Sequence, residues 1–201
     1  MIAIITGDII NSENHPSSQW IDLLKQYFSQ FGDSPMNWEI YRGDEFQLKV
    51  TEKNALFTAI RIKAMLKAIK GLDVRMSIGI GLETYIGTGV TESNGPAYQR
   101  SGRNFESIKE SKVNISIATG DAKKDLTLNL ILQLALDFMD DWSVVSAEIV
   151  TLVLDHPTYS QKEIAQKLGI KQSAVSQRLK RARLHLVLDV LSYYEEVITD
   201  N

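Results

Sequence analysis

Cysteine is absent from the 201 residues. That excludes a disulfide framework, a thiolate metal site and a cysteine nucleophile, and it suits a reducing cytosol. Also missing is any apolar run long enough to cross a bilayer. The N-terminal MIAIITGDII has no basic leader, and Gly7 and Asp8 interrupt its apolar run. It reads as a buried strand rather than a signal peptide, so a cytoplasmic protein without a membrane partner is expected. There is no internal repeat and no low-complexity tract. The apolar fraction of 44% and charged fraction of 23% are ordinary for a globular protein, which argues against broad disorder. Neither glycine nor proline occurs after Gly169, so no residue there forces the last helices to stop.

Strand and helix signals alternate in the first part of the chain. Ile2–Thr6 is a short β-branched run, and Ser17–Phe31 carries Trp20, Leu23, Leu24, Tyr27, Phe28 and Phe31 at helical spacing. Trp38–Tyr41 and Phe46–Val50 are strands joined by the hairpin signal Arg42-Gly43-Asp44-Glu45. Lys53–Lys70 is helical, with Leu56, Ile60, Ala64 and Ile69 near one face. Val74–Ile80 alternates apolar residues against Arg75, Ser77 and Gly79, as a strand does. Pro96–Ser111 holds another helix and Val113–Ala118 a last strand. The fold class is therefore α+β, and the first six elements follow the βαββαβ order of the split βαβ, ferredoxin-like arrangement. That topology sets the first strand beside the third and brings Asp8 close to the Gly43–Glu45 hairpin.

The polar segment GDAKKD, Gly120 to Asp125, is the candidate linker. It divides an α+β domain at 1–122 from an all-α domain at 126–201. The helix from Leu126 to Met139 carries Asn129, Gln133 and Asp137 at four-residue spacing. This polar stripe on an apolar helix belongs in a core or an interface.

A helix-turn-helix is expected at about 160–182. Its first packing helix runs from Val144 to Leu154 and stops near His156-Pro157. Ser160-Gln161-Lys162-Glu163 is a capping box. Ile164, Ala165 and Leu168 face inward, and Gly169 supplies a left-handed turn. Val175 and Leu179 then face inward from the next helix. Gln172, Ser173, Ser176 and Gln177 face outward at its start, as donors and acceptors suited to base edges in the major groove. Arg178, Lys180, Arg181 and Arg183 follow, suited to phosphates, and Lys171 belongs to the same DNA-facing set. From Ser160 to Leu186 seven cations face the single acid Glu163, a local +6 on a chain whose net charge is −3, so the rest sums to −9. A three-helix bundle used only for protein contacts is the plainer reading of the same helices. Leu184, Val187, Leu188, Leu191 and Tyr194 form a late apolar stripe for core packing or for a homodimer. The segment YSQKEIAQKLGIKQSAVSQRLKRAR resembles the helix-turn-helix of MarR-like regulators and of sigma-factor region four, which implies double-stranded DNA as partner.

In the first domain, Asp8 within TGDII and Asp44 within RGDEF would together form a hard-oxygen site suited to Mg²⁺ and a bound polyphosphate. Ile9, Arg42 and Glu45 would line such a ligand site. Turn capping by Asp8 and Asp44 is the plainer reading. The GDI and RGDEF motifs and the element order resemble the palm-like domain of class III nucleotide cyclases and GGDEF diguanylate cyclases, where such acids hold the metal of a nucleotide. Two departures weigh against catalysis. Arg42 stands at the first glycine of GGDEF, and Arg100, Arg103 and Asn104 miss the register of the cyclases' asparagine–arginine pair. No catalytic residue is assigned, and the domain is expected to sense a ligand or to dimerise. The alternative is a metal-dependent nucleotide cyclase or nucleotidyl-transfer enzyme with a DNA-targeting module.

Over the whole chain, ITGDIINS, RGDEFQ, RMSIGIG and SNGPAYQRSG ahead of a terminal helix-turn-helix resemble the SatD family of small bacterial proteins. The resemblance implies a bacterial regulatory protein. The expected function is that of a DNA-binding transcriptional regulator with a cyclase-like N-terminal domain.

Overall fold

A computed structural model describes residues 1–199. The chain is α+β, with a five-stranded mixed sheet and eight α-helices among the described residues. In chain order these are β1 (Ile2–Ile10), α1 (Ile21–Phe28), β2 (Trp38–Tyr41), β3 (Glu45–Thr51), α2 (Ala55–Lys67), β4 (Asp73–Gly81), α3 (Pro96–Ser111), β5 (Ile115–Ala118), α4 (Ala122–Met139), α5 (Val144–Asp155), α6 (Gln161–Leu168), α7 (Gln172–Arg181) and α8 (Leu184–Thr199).

The strands lie in the order β2-β3-β1-β4-β5. β1 is central and antiparallel to both β3 and β4, whereas β5 joins β4 in parallel. Pairing on both sides extends β1 to Ile10, beyond the Thr6 expected from its β-branched run. Asp8 therefore lies inside a strand rather than at a strand end, opposite Glu45 on one side and Arg75 on the other.

The two sheet faces differ in chemistry, as period-2 alternation requires. One presents Ala3, Ile5 and Ile9 with Val74, Met76, Ile78 and Ile80, all buried against α1 and α2. The opposite face is polar along its middle and carries α3. There Ser101 donates to Thr6 at 2.7 Å, and Asn104 donates to Ser77 at 2.9 Å. α3 approaches so closely that a Cβ on Gly79 would stand 2.2 Å from the carbonyl oxygen of Ala97. Only glycine fits at that crossing.

The Ser17–Phe31 segment is α-helical only over Ile21–Phe28, flanked by 3-10 turns. α2 is buried almost all round, because the sheet covers one side and α5 and α8 cover the others. A single apolar face at Leu56, Ile60, Ala64 and Ile69 therefore understates its burial.

Gly120–Asp125 is not an extended linker. Asp121 caps the N-terminus of α4 by accepting from the Lys123 and Lys124 amides, and Ala122–Asp125 form the first turn. The helix thus begins four residues before 126. Asn129 closes the open edge of β5: its carboxamide accepts from the Ile117 N–H at 2.9 Å and donates to the Ile117 carbonyl at 2.8 Å. A side-chain amide here does what a sixth strand would do. Gln133 and Asp137, by contrast, are exposed.

One hydrophobic core runs without interruption from the sheet through α2 into α4, α5 and α8 and on to Ala165 and Val175. Polar contacts across the middle fasten its halves as well. Arg61 of α2 holds Asp155 at the end of α5 through two bonds of 2.6 and 2.8 Å. Lys63, fully buried, reaches Asp73 and Asp140 at 2.6 Å each. The Tyr194 hydroxyl of α8 donates to the Glu52 carbonyl at 2.6 Å. No helix among the described residues is long and apolar enough to cross a membrane.

Candidate functional site

The first candidate is the surface of α6 and α7. Ser160 precedes α6 with extended backbone; its hydroxyl accepts from the Glu163 amide at 3.3 Å, and its own N–H donates to the Glu163 carboxylate at 2.7 Å. This is the capping box that the sequence predicts. The Ser160 hydroxyl also donates to that carboxylate at 2.7 Å, and this bond together with the one from the Ser160 N–H holds the Glu163 carboxyl below its ordinary range. Gly169 takes the left-handed conformation, φ 63°, and the Ile170 amide donates to the Ala165 carbonyl at 3.0 Å to close the turn. Ile164, Ala165 and Val175 are buried, the last completely, and fix α7 across α6. Leu168 and Leu179 are half-buried beside them.

α7 ends in a soft break. Arg183 is left-handed at φ 51°, its guanidinium lies 5.3 Å from the Phe138 ring centre, and the Trp142 indole donates to the Ala182 carbonyl at 3.0 Å. Leu184, Val187 and Tyr194 of the late apolar stripe are buried in the molecule's own core, whereas Leu188 is exposed.

Of the residues expected to face DNA, Lys171, Gln172, Ser173, Ser176, Gln177, Lys180 and Arg181 are exposed and Arg178 is half-buried. Lys171, Arg178, Lys180 and Arg181 form no ion pair among the described residues.

The second candidate lies at one end of the polar sheet face. The hairpin loop Arg42–Asp44, with Arg42 and Gly43 left-handed, sets Asp44 beside the end of β1. The Ile9 amide donates to the Asp44 carbonyl at 3.2 Å, and Ser12 donates to the Asp44 carboxylate at 2.6 Å. Asp8 accepts from Arg75 at 3.2 Å, and Glu45 pairs with Lys109 of α3 at 3.2 Å. Arg42 projects into solvent, 3.7 Å from Glu45. The structure thus gathers Asp8, Asp44, Glu45 and Arg42 at one place, with Ile9 contributing its backbone while its side chain is buried in the core.

Burial raises the Asp8 carboxyl above its ordinary range; Arg75 and Lys109 oppose the shift, and Asp44 and Glu45 add to it. One Asp8 oxygen, Oδ1, and the Arg75 Nε are both buried without a hydrogen-bond partner. Among the described residues no group of three or more acids or histidines gathers as a metal site would require. The carboxylates are instead engaged by Arg75, Lys109 and Ser12. A magnesium ion would have to displace these partners, so the donor set as folded fits a metal poorly.

Arg75, Lys109 and Ser12 were not singled out from the sequence. Alternation in RMSIGIG does place Arg75 on the polar face. Lys109 and Ser12 reach the site only through tertiary packing, with no local signal.

Comparison with known families decides the chain's membership, because the match to the SatD family spans residues 1–197. The chain belongs to the SatD family. No curated protein and no solved structure matches it. Membership in the SatD family thus covers the sheet, the Asp8 cluster and both helices of the α6–α7 pair as one unit.

Proposed function

We propose that this SatD-family chain is a DNA-binding transcriptional regulator. In this reading its ferredoxin-like, cyclase-shaped sheet region carries a helix-turn-helix formed by α6 and α7. The observation that carries the reading is the set of cations on α7 and at its N-cap, Lys171. Lys171, Arg178, Lys180 and Arg181 have no carboxylate partner among the described residues, and they flank the exposed Gln172, Ser173, Ser176 and Gln177. Cations on a helix whose first turn offers amides and hydroxyls are what a duplex requires. Phosphates take the charge and base edges take the hydrogen bonds. The free amide N–H groups at the start of α7 add a positive end to the same surface.

The test is selection of genomic fragments by the full chain, followed by anisotropy titrations of a selected duplex at several salt concentrations. Retention of a defined sequence, with affinity falling steeply as salt rises, is expected. Failure to retain any duplex at low salt would overturn the reading.

A second reading concerns the sheet end. Asp8 and Arg75 pair through Oδ2 and Nη1, which leaves one acceptor, Asp8 Oδ1, and one donor, Arg75 Nε, buried without a partner. That pair suits a small polar ligand, as a sensing domain would need. Thermal shift against nucleotides, with and without Mg²⁺, tests it, because a specific ligand stabilises by mass action. A shift lost in both Asp8→Asn and Arg75→Gln is expected. Metal-dependent nucleotidyl transfer has no comparable observation in its favour.

A further inference from the structure

α4 carries a face that the molecule leaves uncovered. Leu126, Leu130 and Leu134 are 73%, 57% and 69% exposed, at four-residue spacing on one side of the helix. On the same side, Lys123 precedes them and Asp137 follows them. Both are exposed, and neither pairs with an opposite charge among the described residues. Beside Leu134 runs an apolar groove of about 270 Å³ between α4 and α8, walled by Ile131, Phe138, Leu186 and Tyr193.

The order of these residues is symmetric about Leu130. Lys123 and Asp137 stand seven positions to either side of it, and Leu126 and Leu134 stand four. Two copies of α4 laid antiparallel across a two-fold axis at Leu130 would therefore match residue for residue. Leu130 would meet its own counterpart. Leu126 would meet the other copy's Leu134 and enter the groove beside it. Lys123 would meet the other copy's Asp137 at both ends.

We infer that the partner of this face is a second copy of the chain, joined through an isologous α4–α4 contact centred on Leu130. Charge complementarity selects the antiparallel arrangement, since a parallel one would set Lys123 against Lys123 and Asp137 against Asp137. The exposed apolar side chains of the stripe and groove offer roughly 500 Å² per copy, so pairing covers about 1,000 Å², the lower bound for a specific contact. The inference does not rest on the DNA reading, because none of these residues belongs to α7.

Sedimentation equilibrium of the full chain tests it. A reversible dimer is expected. Leu130→Glu sets two like charges on the axis and should raise the dimer Kd by ~100-fold or more while leaving the far-ultraviolet spectrum unchanged. Lys123→Asp and Asp137→Lys should each weaken the dimer, and the double substitution should restore it. The absence of cysteine makes Leu130→Cys the sole thiol, and mild oxidation should then link two chains through that residue. The last measurement stands even where Leu130→Glu fails to fold. A chain that stays monomeric at about 100 µM would overturn the inference. So would a dimer that resists both Leu130→Glu and oxidative linkage of Leu130→Cys, since it would use another face.

Discussion

The cations packed into the sheet region and those on the surface of α6–α7 stand in different surroundings. Among the former, Lys49, Arg61, Lys63, Lys67, Arg75 and Lys109 each lie within salt-bridge distance of an acid. Among the latter, Lys171, Arg178, Lys180 and Arg181 lie near none among the described residues. Burial explains the first pattern, because a charge taken out of water must find a partner or be neutralised. Exposure permits the second, as it does at Lys25, Lys53 and Lys112. Nothing in folding requires a short helix to collect cations and exclude acids, and mutual repulsion makes the arrangement mildly costly. One set of charges is paired within the fold, and the other is left unpaired at the surface.

The sharpest way to break this contrast is to remove a cation from each set. Lys63→Met should destabilise the protein by about 2–3 kcal/mol, since it removes the fully buried cation that Asp73 and Asp140 share, leaving Asp73 with Lys67 alone and Asp140 with solvent. Urea denaturation measures the loss, and a value under 1 kcal/mol would remove Lys63 from the structural set. Gln177→Ala should leave stability within about 0.5 kcal/mol. It should cost about 1–3 kcal/mol of discrimination at a single base pair, read by competition between duplexes differing at that position. Arg181→Ala should weaken all duplexes alike and flatten the slope of log K against log salt by about one. An unchanged slope would take Arg181 out of the phosphate contacts.

The smallest effect separates the regions by pH. Glu163 is held below its ordinary pKa by hydrogen bonds from Ser160. Its contribution is present above the unfolded value and is lost as pH falls through the lower folded one. Asp8 is held above its ordinary value, chiefly by burial. The folded state binds its proton more readily, so acidification through that range favours the fold at Asp8. The protection factor at the start of α6, exchange corrected for its intrinsic pH dependence, should therefore fall in acid, and Glu163→Gln should remove the dependence. An α6 terminus equally protected at pH 6 and pH 3 would contradict it.

How much of this could be read in the sequence depends on how far apart the interacting residues lie. The capping box of Ser160 and Glu163, the turn at Gly169 and the start of α3 at Pro96 follow from residues within four positions of one another. Each stands where expected. Asp8 and the hairpin also meet as expected, because strand order brings them together. What was not legible depended on packing at long range. Arg61 and Asp155 are 94 residues apart, and no periodicity links them. Asn129 reads as part of a polar stripe, yet its task is to satisfy the edge of β5. GDAKKD has the composition of a linker, but the cap at Asp121 converts it into a helix start.

The unbroken core has a consequence for a severed chain. A single cut in the exposed turn at Gly120–Asp121 would part the backbone at a point that few side chains need. The piece before it would keep the sheet and its polar layer, and the piece after it would keep α4 to α8. Each would expose half of one shared interior, including Leu128, Leu132 and Ile149 on one side and Ile60 and Ile62 on the other. Neither has reason to stay folded without its complement. The two fragments should stay bound after cleavage and, when mixed from separate preparations, rebuild the native fold between them.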